Sequence, residues 1–584
     1  MVYYLPSMNR YLLLLLCSLT ILCTCDRASN TADPETSTVQ NGQPNILWLT
    51  CEDISPLLPM FGDSTAETPN LSRLAARGVR FPNTFTVAGV CAPSRNCITM
   101  GMYPISIGGH NMRTQFNVPG LEALGLPGAY GALPPPEAKM MSQVLRENGY
   151  FTSNNQKEDY QFFAPRTGWT DKGPKAHWRH RKDPEQPFFS IFNMEITHES
   201  QIWMTGKGNL RFKAGLEKGT TTVYSWNNAW RGDDRPELTI APEEVPLPPY
   251  LVDDAPTRTD VARVYSNIEI MDQQVGFLLD QLEEDGLLDN TIIFFYSDHG
   301  GPLPRQKRLL YDSGLRVPMM VAWPDGRRAG TIDSTLFSFV DLAPTVFSLA
   351  GVEVPDYCQG QAILGDQAAP PRDYVFAASD RLDGFYDRIR AARDHRYKYL
   401  RNYYPERGYY LPVVYREQMN AMQSLLAGRD AGRLTDAQAQ WFRKSKPAEE
   451  LFDTQADPYE LNNLAFIPAY ADKLAELRLA MDNWLTEVGD LGGTNEVEMV
   501  QQFWGGAEEL PVTGRPQLRR DSIGRFILES KTPGAQIAYQ VTEPGEQPGP
   551  WEVYVEPMAY TRGDTLRAVA QRIGFAESGE SVGW

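Results

Sequence analysis

Cysteine is scarce, with seven in 584 residues. That is too few for the disulfide framework that staples small secreted folds. Positive charge is in deficit. Lys and Arg number 55 against 73 Asp and Glu, a formal net charge of −18. Generic nucleic-acid binding is therefore excluded, and an anion has to be held by basic groups concentrated locally. Long apolar runs are nearly absent. The one candidate, Tyr11 to Leu22 after Arg10, is too short for a comfortable bilayer span, and no later segment is apolar enough to cross. No internal repeat is visible. Apolar material for a core is ample, at 42% hydrophobic and 11% aromatic content, enough for roughly two to four domains.

The N-terminus reads as a targeting segment over residues 1–25. Leu22-Cys23-Thr24-Cys25 resembles a bacterial lipobox. That makes Cys25 the expected lipidated first residue of an exported chain, periplasmic or held on the outer membrane. Cleavage by an ordinary signal peptidase is the alternative. Residues 26–43 are polar and poor in large apolar side chains, as in a flexible tether. With Cys25 as the mature start, Cys51, Cys91, Cys97 and Cys358 remain, and no structural bridge is expected.

Three apolar runs read as buried strands: Asn45 to Cys51, Phe188 to Asn193 and Thr291 to Tyr296. Pro69 to Gly78 reads as a short amphipathic helix capped by Thr68. Lys139 to Asn148 reads as another helix, followed by a strand starting at Gly149. Thr259 to Glu284 carries a long helical pattern with Val261, Val264, Ile268, Met271, Val275, Leu278 and Leu282 on one side. This alternation predicts an α/β fold with a mostly parallel sheet covered on both faces. Two strands end in ionisable pairs, Glu52-Asp53 and Asp298-His299. Carboxylates at the C-terminal ends of such strands lie where open α/β sheets bind ligands. A set rich in carboxylate oxygen suits Ca²⁺ or Mg²⁺ better than zinc.

Val90-Cys91-Ala92-Pro93-Ser94-Arg95 precedes Asn96 to Gly101, which reads as a short helix. Proline is favoured in a first helical turn. Cys91 then lies at a helix N-terminus, which attracts anions. Arg95, one turn on, offers a planar fork of donors. Cys91-Ala92-Pro93-Ser94-Arg95 resembles the signature of the type I sulfatases, members of the alkaline-phosphatase-like superfamily. The likeness extends from Pro44 to Ala465. It takes in Arg305-Gln306-Lys307, Gly314-Leu315-Arg316-Val317-Pro318, Glu450 to Asp453 and Asp457 to Leu464.

The resemblance implies a large, mostly parallel β-sheet flanked by helices, a smaller α+β C-terminal subdomain, and sulfate-ester hydrolysis. It implies that Cys91 is oxidised to formylglycine (3-oxoalanine) by a formylglycine-generating or anaerobic sulfatase-maturating enzyme. Glu52, Asp53, Asp298, His299 and residue 91 would bind Ca²⁺, with Mg²⁺ second. Glu52 departs from the family's usual aspartate. Lys307 would contact the sulfate, Lys157 would support the aldehyde hydrate and His198 would protonate the leaving alcohol. One hydroxyl of the hydrate would attack sulfur while Arg95, Lys157 and Lys307 steady the charge. The second would then expel sulfate. Most relatives carry Lys-x-His where this chain has Lys157-Glu158-Asp159, so no catalytic histidine carries over at 159. His110 and Arg113 are candidate substrate contacts, with a loop histidine of no role as the alternative at 110.

Arg381 to Arg407 is rich in Lys, Arg and Tyr. It reads either as a solvated antiparallel strand pair or as a wall for an anionic sugar polymer, with Arg388 as a substrate contact. Short alternating runs from Asp521 to Trp584 suggest a small β-sandwich. Thr532 through Gly574 resembles the β-domain appended to some β-hexosaminidases and is expected to pack on the main body. The expected divisions are 44–372 catalytic, 373–510 α+β and 521–584 β-sandwich. A sulfated glycan, either a glycosaminoglycan or an algal polysaccharide such as ulvan, is the expected substrate, and no nucleic-acid partner is expected. The alternatives are a phosphodiester or phosphonate monoester hydrolase of the same superfamily, and an inactive lipid-tethered glycan-binding protein.

Overall fold

Asn-Ile-Leu-Trp-Leu-Thr-Cys, the first strand, is buried along its whole length. It is the middle of a seven-stranded sheet in a computed structural model that describes residues 42–115, 125–203, 236–382, 384–559, 561 and 563–583. The expected leader with Cys25, most of the tether, and Asp383 lie outside the described residues. The strands are β1 (Asn45–Cys51), β2 (Gly78–Arg80), β3 (Phe151–Asn155), β4 (Asp171–Lys172), β5 (Phe188–Met194), β6 (Thr291–Ser297) and β7 (Met319–Ala322). Their spatial order is β2-β7-β6-β1-β5-β3-β4. Pairing is parallel from β6 through β4, and β7 runs antiparallel to both neighbours.

Strand alternation assigns the two faces. Leu47, Leu49, Ile293, Phe295, Phe188 and Phe192 enter one core. Ile46, Trp48, Ile292, Phe294, Phe189 and Ile191 enter the other. The Trp48 ring packs edge-on against Phe189 and Tyr296, at 5.1 and 5.3 Å between centroids.

Helix α1 (Pro69–Arg77) begins where expected, but the Thr68 side chain does not cap it. Asp272, on a distant helix, accepts from the Asn70 and Leu71 N–H groups at 3.1 and 2.7 Å. The cap thus comes from another segment, which local sequence cannot reveal. Helix α2 (Cys91–Met100) is buried throughout and ends at Gly101, whose φ of 64° closes the last turn onto the Cys97 carbonyl. Helix α3 (Ala255–Glu284) starts four residues before its apolar pattern, because Asp254 accepts from the Thr257 N–H. Among the described residues no helix is long and apolar enough to cross a membrane. The four described cysteines are free thiols.

β8 (Val375–Leu382), β9 (Phe385–Arg393), β10 (Tyr397–Asn402) and β11 (Glu449–Asp453) form an antiparallel sheet. Helix α4 (Ala471–Val488) lies on it, with Trp484 stacked on Phe376 at 4.9 Å. The basic stretch does pair as antiparallel strands, but it is not a solvated pair. Its cations are mostly consumed inside the fold. Arg381 pairs with Glu496, Arg390 with Asp380 and Asp490, and Arg393 and Lys398 with Asp312. Their partners lie outside 381–407, so these four charges do not add to a free basic wall. The terminal β-domain starts slightly earlier than expected, with β12 (Gln517–Arg520) and β13 (Phe526–Glu529) facing β14 (Gln536–Thr542), β15 (Glu552–Val553), β16 (Thr565–Gln571) and β17 (Ser581–Gly583) over a small apolar core. It packs on the main body through Arg146 to the Trp551 carbonyl (2.6 Å) and Arg166 to Glu577 (2.7 Å).

Candidate active site

The pairing of Cys51 with Ser297 brings the ends of β1 and β6 level. The Asp298 N–H then donates to the Cys51 carbonyl at 3.0 Å, so Glu52-Asp53 and Asp298-His299 emerge side by side. Gly300 lets the following loop close on itself, because a Cβ there would run into the Ser313 carbonyl. Asp53 holds a φ of 55°, a sparsely populated conformation that tends to cluster at functional sites. The start of α2 is tied to the same point, as the Ser94 hydroxyl donates to the Asp298 carbonyl at 2.5 Å.

Cys91 Sγ lies 3.3 Å from His299 Nε2. That nitrogen is also 2.9 Å from Asp53 Oδ1 and 3.7 Å from Asp298 Oδ1. Arg95 donates to Asp298 Oδ2 at 2.9 Å and to Asn193 Oδ1 at 2.6 Å. Lys157 reaches Glu52 Oε2 at 2.7 Å. Lys307 reaches both Asp53 oxygens, at 2.9 and 2.7 Å. His198 presents Nε2 3.8 Å from Glu52 Oε2, while the Ser200 hydroxyl lies 2.8 Å from Nδ1. One ligand atom each from Glu52, Asp53, Cys91 and His198 fall within 4.8 Å of one another, as do those of Cys91, Asp298 and His299. The structure thus gathers Cys91, Arg95, Lys157, His198, Lys307, Glu52, Asp53, Asp298 and His299 from five separate stretches of chain.

The electrostatics follow from burial. Glu52, Asp53, Asp298 and His299 are fully shielded from water. Burial, with the Asp298 charge adding to it, pushes the Glu52 carboxyl up to about 7 despite Lys157. Burial also raises Asp53, but Lys307 and His299 outweigh it and hold that carboxyl well below its usual range. Burial, and then Lys307, push the His198 imidazole down to about 3. Glu52 Oε1 and Arg95 Nη2 are buried without a hydrogen-bond partner, although they lie 3.5 Å apart as an ion pair. Buried polar atoms left this way are costly.

His110 is buried in the loop before Arg113, and its Nδ1 has no hydrogen-bond partner. Arg113 is exposed, with its guanidinium 5.9 Å from the Tyr415 ring centroid. Arg388 Nη2 donates to Asp490 at 2.7 Å and the guanidinium lies over Tyr403 at 4.1 Å, while its Nε is buried without a hydrogen-bond partner. Asp159 sits 3.6 Å from Lys157. Sequence reasoning missed Asn193, which holds Arg95, and Glu199, which Arg308 grips bidentately at 2.9 and 2.7 Å and Lys307 approaches at 3.2 Å. Glu199 follows His198 and Arg308 follows Lys307, so their adjacency was the available signal.

Residues 44–352 match the family described as Sulfatase, and residues 305–412 match N-sulphoglucosamine sulphohydrolase, C-terminal. An "Ulvan-active sulfatase" of Formosa agariphila is 46% identical over 92% of this chain and 90% of its own. Human N-sulphoglucosamine sulphohydrolase is 25% identical over 76% of this chain and 90% of its own. A solved structure described as in complex with its substrate D-glucosamine-2-N,6-O-disulfate shares the alkaline-phosphatase-like fold. Its TM-score is 0.53 at 18% identity, covering 78% of this chain and 100% of that one. With a family match over more than half its length and a near-full-length relative, the chain belongs to the sulfatase family.

Proposed function

We propose that this sulfatase removes sulfate from a sulfated polysaccharide, with ulvan the favoured substrate, outside the cytoplasm and after oxidation of Cys91 to 3-oxoalanine by a maturation enzyme. Ulvan is favoured because the relative named for it is similar along almost the whole chain. Export and a lipid anchor at Cys25 rest on the leader sequence. The observation that carries the reading is the meeting of residue 91 with Asp53, Asp298, His299 and Lys307 at the end of the central strands.

Three buried carboxylates, a histidine and an orphaned carboxylate oxygen fit a hard divalent cation. Glu52, Asp53, Asp298, His299 and residue 91 would hold it, with Ca²⁺ preferred over Mg²⁺. When bound, the cation supplies Lewis-acid polarisation of the reacting oxygens. Arg95, Lys157 and Lys307 bring three positive charges to the space where sulfuryl oxygens gain charge. Asn193 and Glu199 hold Arg95 and Lys307 in place. Burial and the Lys307 charge lower the His198 pKa and so favour its neutral imidazole. An anionic sulfate ester beside it opposes the Lys307 field and favours the protonated imidazole, which would hand its proton to the departing alcohol.

The test is sulfate release from defined ulvan oligosaccharides and glycosaminoglycan fragments, run beside aryl sulfate and aryl phosphate esters. The reading expects sulfate from ulvan pieces and a strong preference for the aryl sulfate. Preference for phosphate or phosphonate esters would replace it with phosphoryl transfer. A fully matured protein that binds these glycans without turnover would replace it with a binding protein.

A further inference from the structure

A cavity of about 420 Å³ opens at the start of β9. Leu382, the last residue of β8, packs with Val90 and Ala92, the residues flanking Cys91. Gly384, Phe385 and Tyr386, beginning two residues beyond it, form one wall of the cavity with Leu126, and Arg407, Gly408, Tyr410 and Leu411 form the second. This second wall continues along the chain to Tyr415, whose ring centroid is 6.4 Å from that of His198 and which the Arg113 guanidinium overlies. One wall therefore begins two residues past the contact on Val90 and Ala92, and the other leads along the chain to Tyr415 beside His198.

The volume falls within the range of small-molecule sites, roughly 300–1,000 Å³. The lining pairs flat rings with a cation. Arg407 is 45% exposed, donates to the Tyr386 carbonyl and lies over Tyr404 at 4.4 Å. Its nearest carboxylate, Glu406, is 3.9 Å away and 67% exposed, a pairing weak enough to exchange for a ligand. The Tyr386 hydroxyl is bonded to Glu496, whose charge Arg381 neutralises. Rings of this kind stack on the C–H faces of a pyranose, while a guanidinium takes its carboxylate or sulfate.

We propose that this cavity is a second saccharide subsite. It holds the anionic sugar next to the one bearing the scissile sulfate, with Arg407 on its charged group and Phe385 and Tyr386 against its ring. The proposal rests on the sulfated-glycan reading above and adds that the protein prefers oligosaccharide to monosaccharide. The test uses the matured, metal-loaded protein and its Arg407→Ala and Phe385→Ala variants. It compares kcat/KM for a sulfated ulvan disaccharide with that for the corresponding sulfated monosaccharide. The disaccharide-to-monosaccharide ratio is expected to fall about tenfold in each variant, mostly through KM, equivalent to losing about 1.4 kcal/mol of binding. A calorimetric comparison of the two sugars on Cys91→Ala protein, with and without Arg407→Ala, should show the same loss of preference without any turnover. Ratios within about twofold of wild type in both variants would overturn the subsite. Failure of the wild-type protein to act on either sugar would overturn the glycan reading beneath it.

Discussion

Glu52 and Asp312 are both buried carboxylates facing cations from distant parts of the chain, yet they are pushed in opposite directions. Asp312 accepts from Arg393 and Lys398 on one oxygen, at 3.1 and 2.9 Å, and from Arg393 on the other, at 3.0 Å. Burial raises its pKa, but those two cations outweigh the effect and hold it far below the ordinary range. Glu52 has Lys157 on one oxygen and no hydrogen bond to the other, and burial carries it up to about 7. The first arrangement is closed and serves the fold. The second is incomplete and gains most from a cation that is not part of the polypeptide.

The largest expected break in this comparison is Cys91→Ala, which should lower kcat on the order of 10⁶-fold. The melting temperature should stay near wild type, since the change removes a single sulfur atom from the start of α2. A variant with measurable turnover would remove residue 91 from the reaction. Next, Asp312→Ala should cost roughly 3–5 kcal/mol in urea unfolding, because it removes the carboxylate that Arg393 and Lys398 share and leaves Lys398 with Glu460 alone. Activity per folded molecule should survive, and a loss of kcat in the folded variant would erase the distinction between the two regions. Lys307→Ala should reduce kcat by about 10²–10³-fold, with Lys307→Arg recovering part of the loss. Smallest is the effect of Ca²⁺ on chelator-stripped protein, a gain of about 2.7 kcal/mol at a hundredfold excess over Kd. That gain should vanish in Asp298→Asn and persist in Asp312→Asn.

The pH dependence sharpens the same contrast. A carboxyl whose folded pKa is raised favours the fold when protonated. Stripped protein should therefore be most stable below about pH 4.5 with respect to Glu52, and lose that contribution as pH rises through about 7. Glu52→Gln should flatten this part of the stability profile measured by denaturation. An unchanged profile would place the orphaned charge elsewhere.

The central strands and the catalytic turn were legible in the sequence because buried parallel strands are unbroken apolar runs and the pentapeptide is specific. The strand-end acids were legible because position in an α/β sheet predicts where ligands sit. The fate of the basic stretch was not. Arg381, Arg390, Arg393 and Lys398 meet Glu496, Asp490 and Asp312 across long sequence separations, and no local charge count contains those partners. For the same reason the cap of α1 was misread, since Asp272 supplies it from some two hundred residues away. Asn193 was hidden inside an apolar strand, where an asparagine side chain gives no sign of what it holds.

The account depends most on residue 91 reacting as an aldehyde within this charged cluster. The direct measurement is mass spectrometry of the peptide containing residue 91, taken from protein made with and without a maturation enzyme, alongside sulfate release by the same samples. The account predicts that the peptide exchanges sulfur and two hydrogens for one oxygen, and that sulfate release scales with the converted fraction. Full sulfate release from protein whose Cys91 is still a thiol would contradict it.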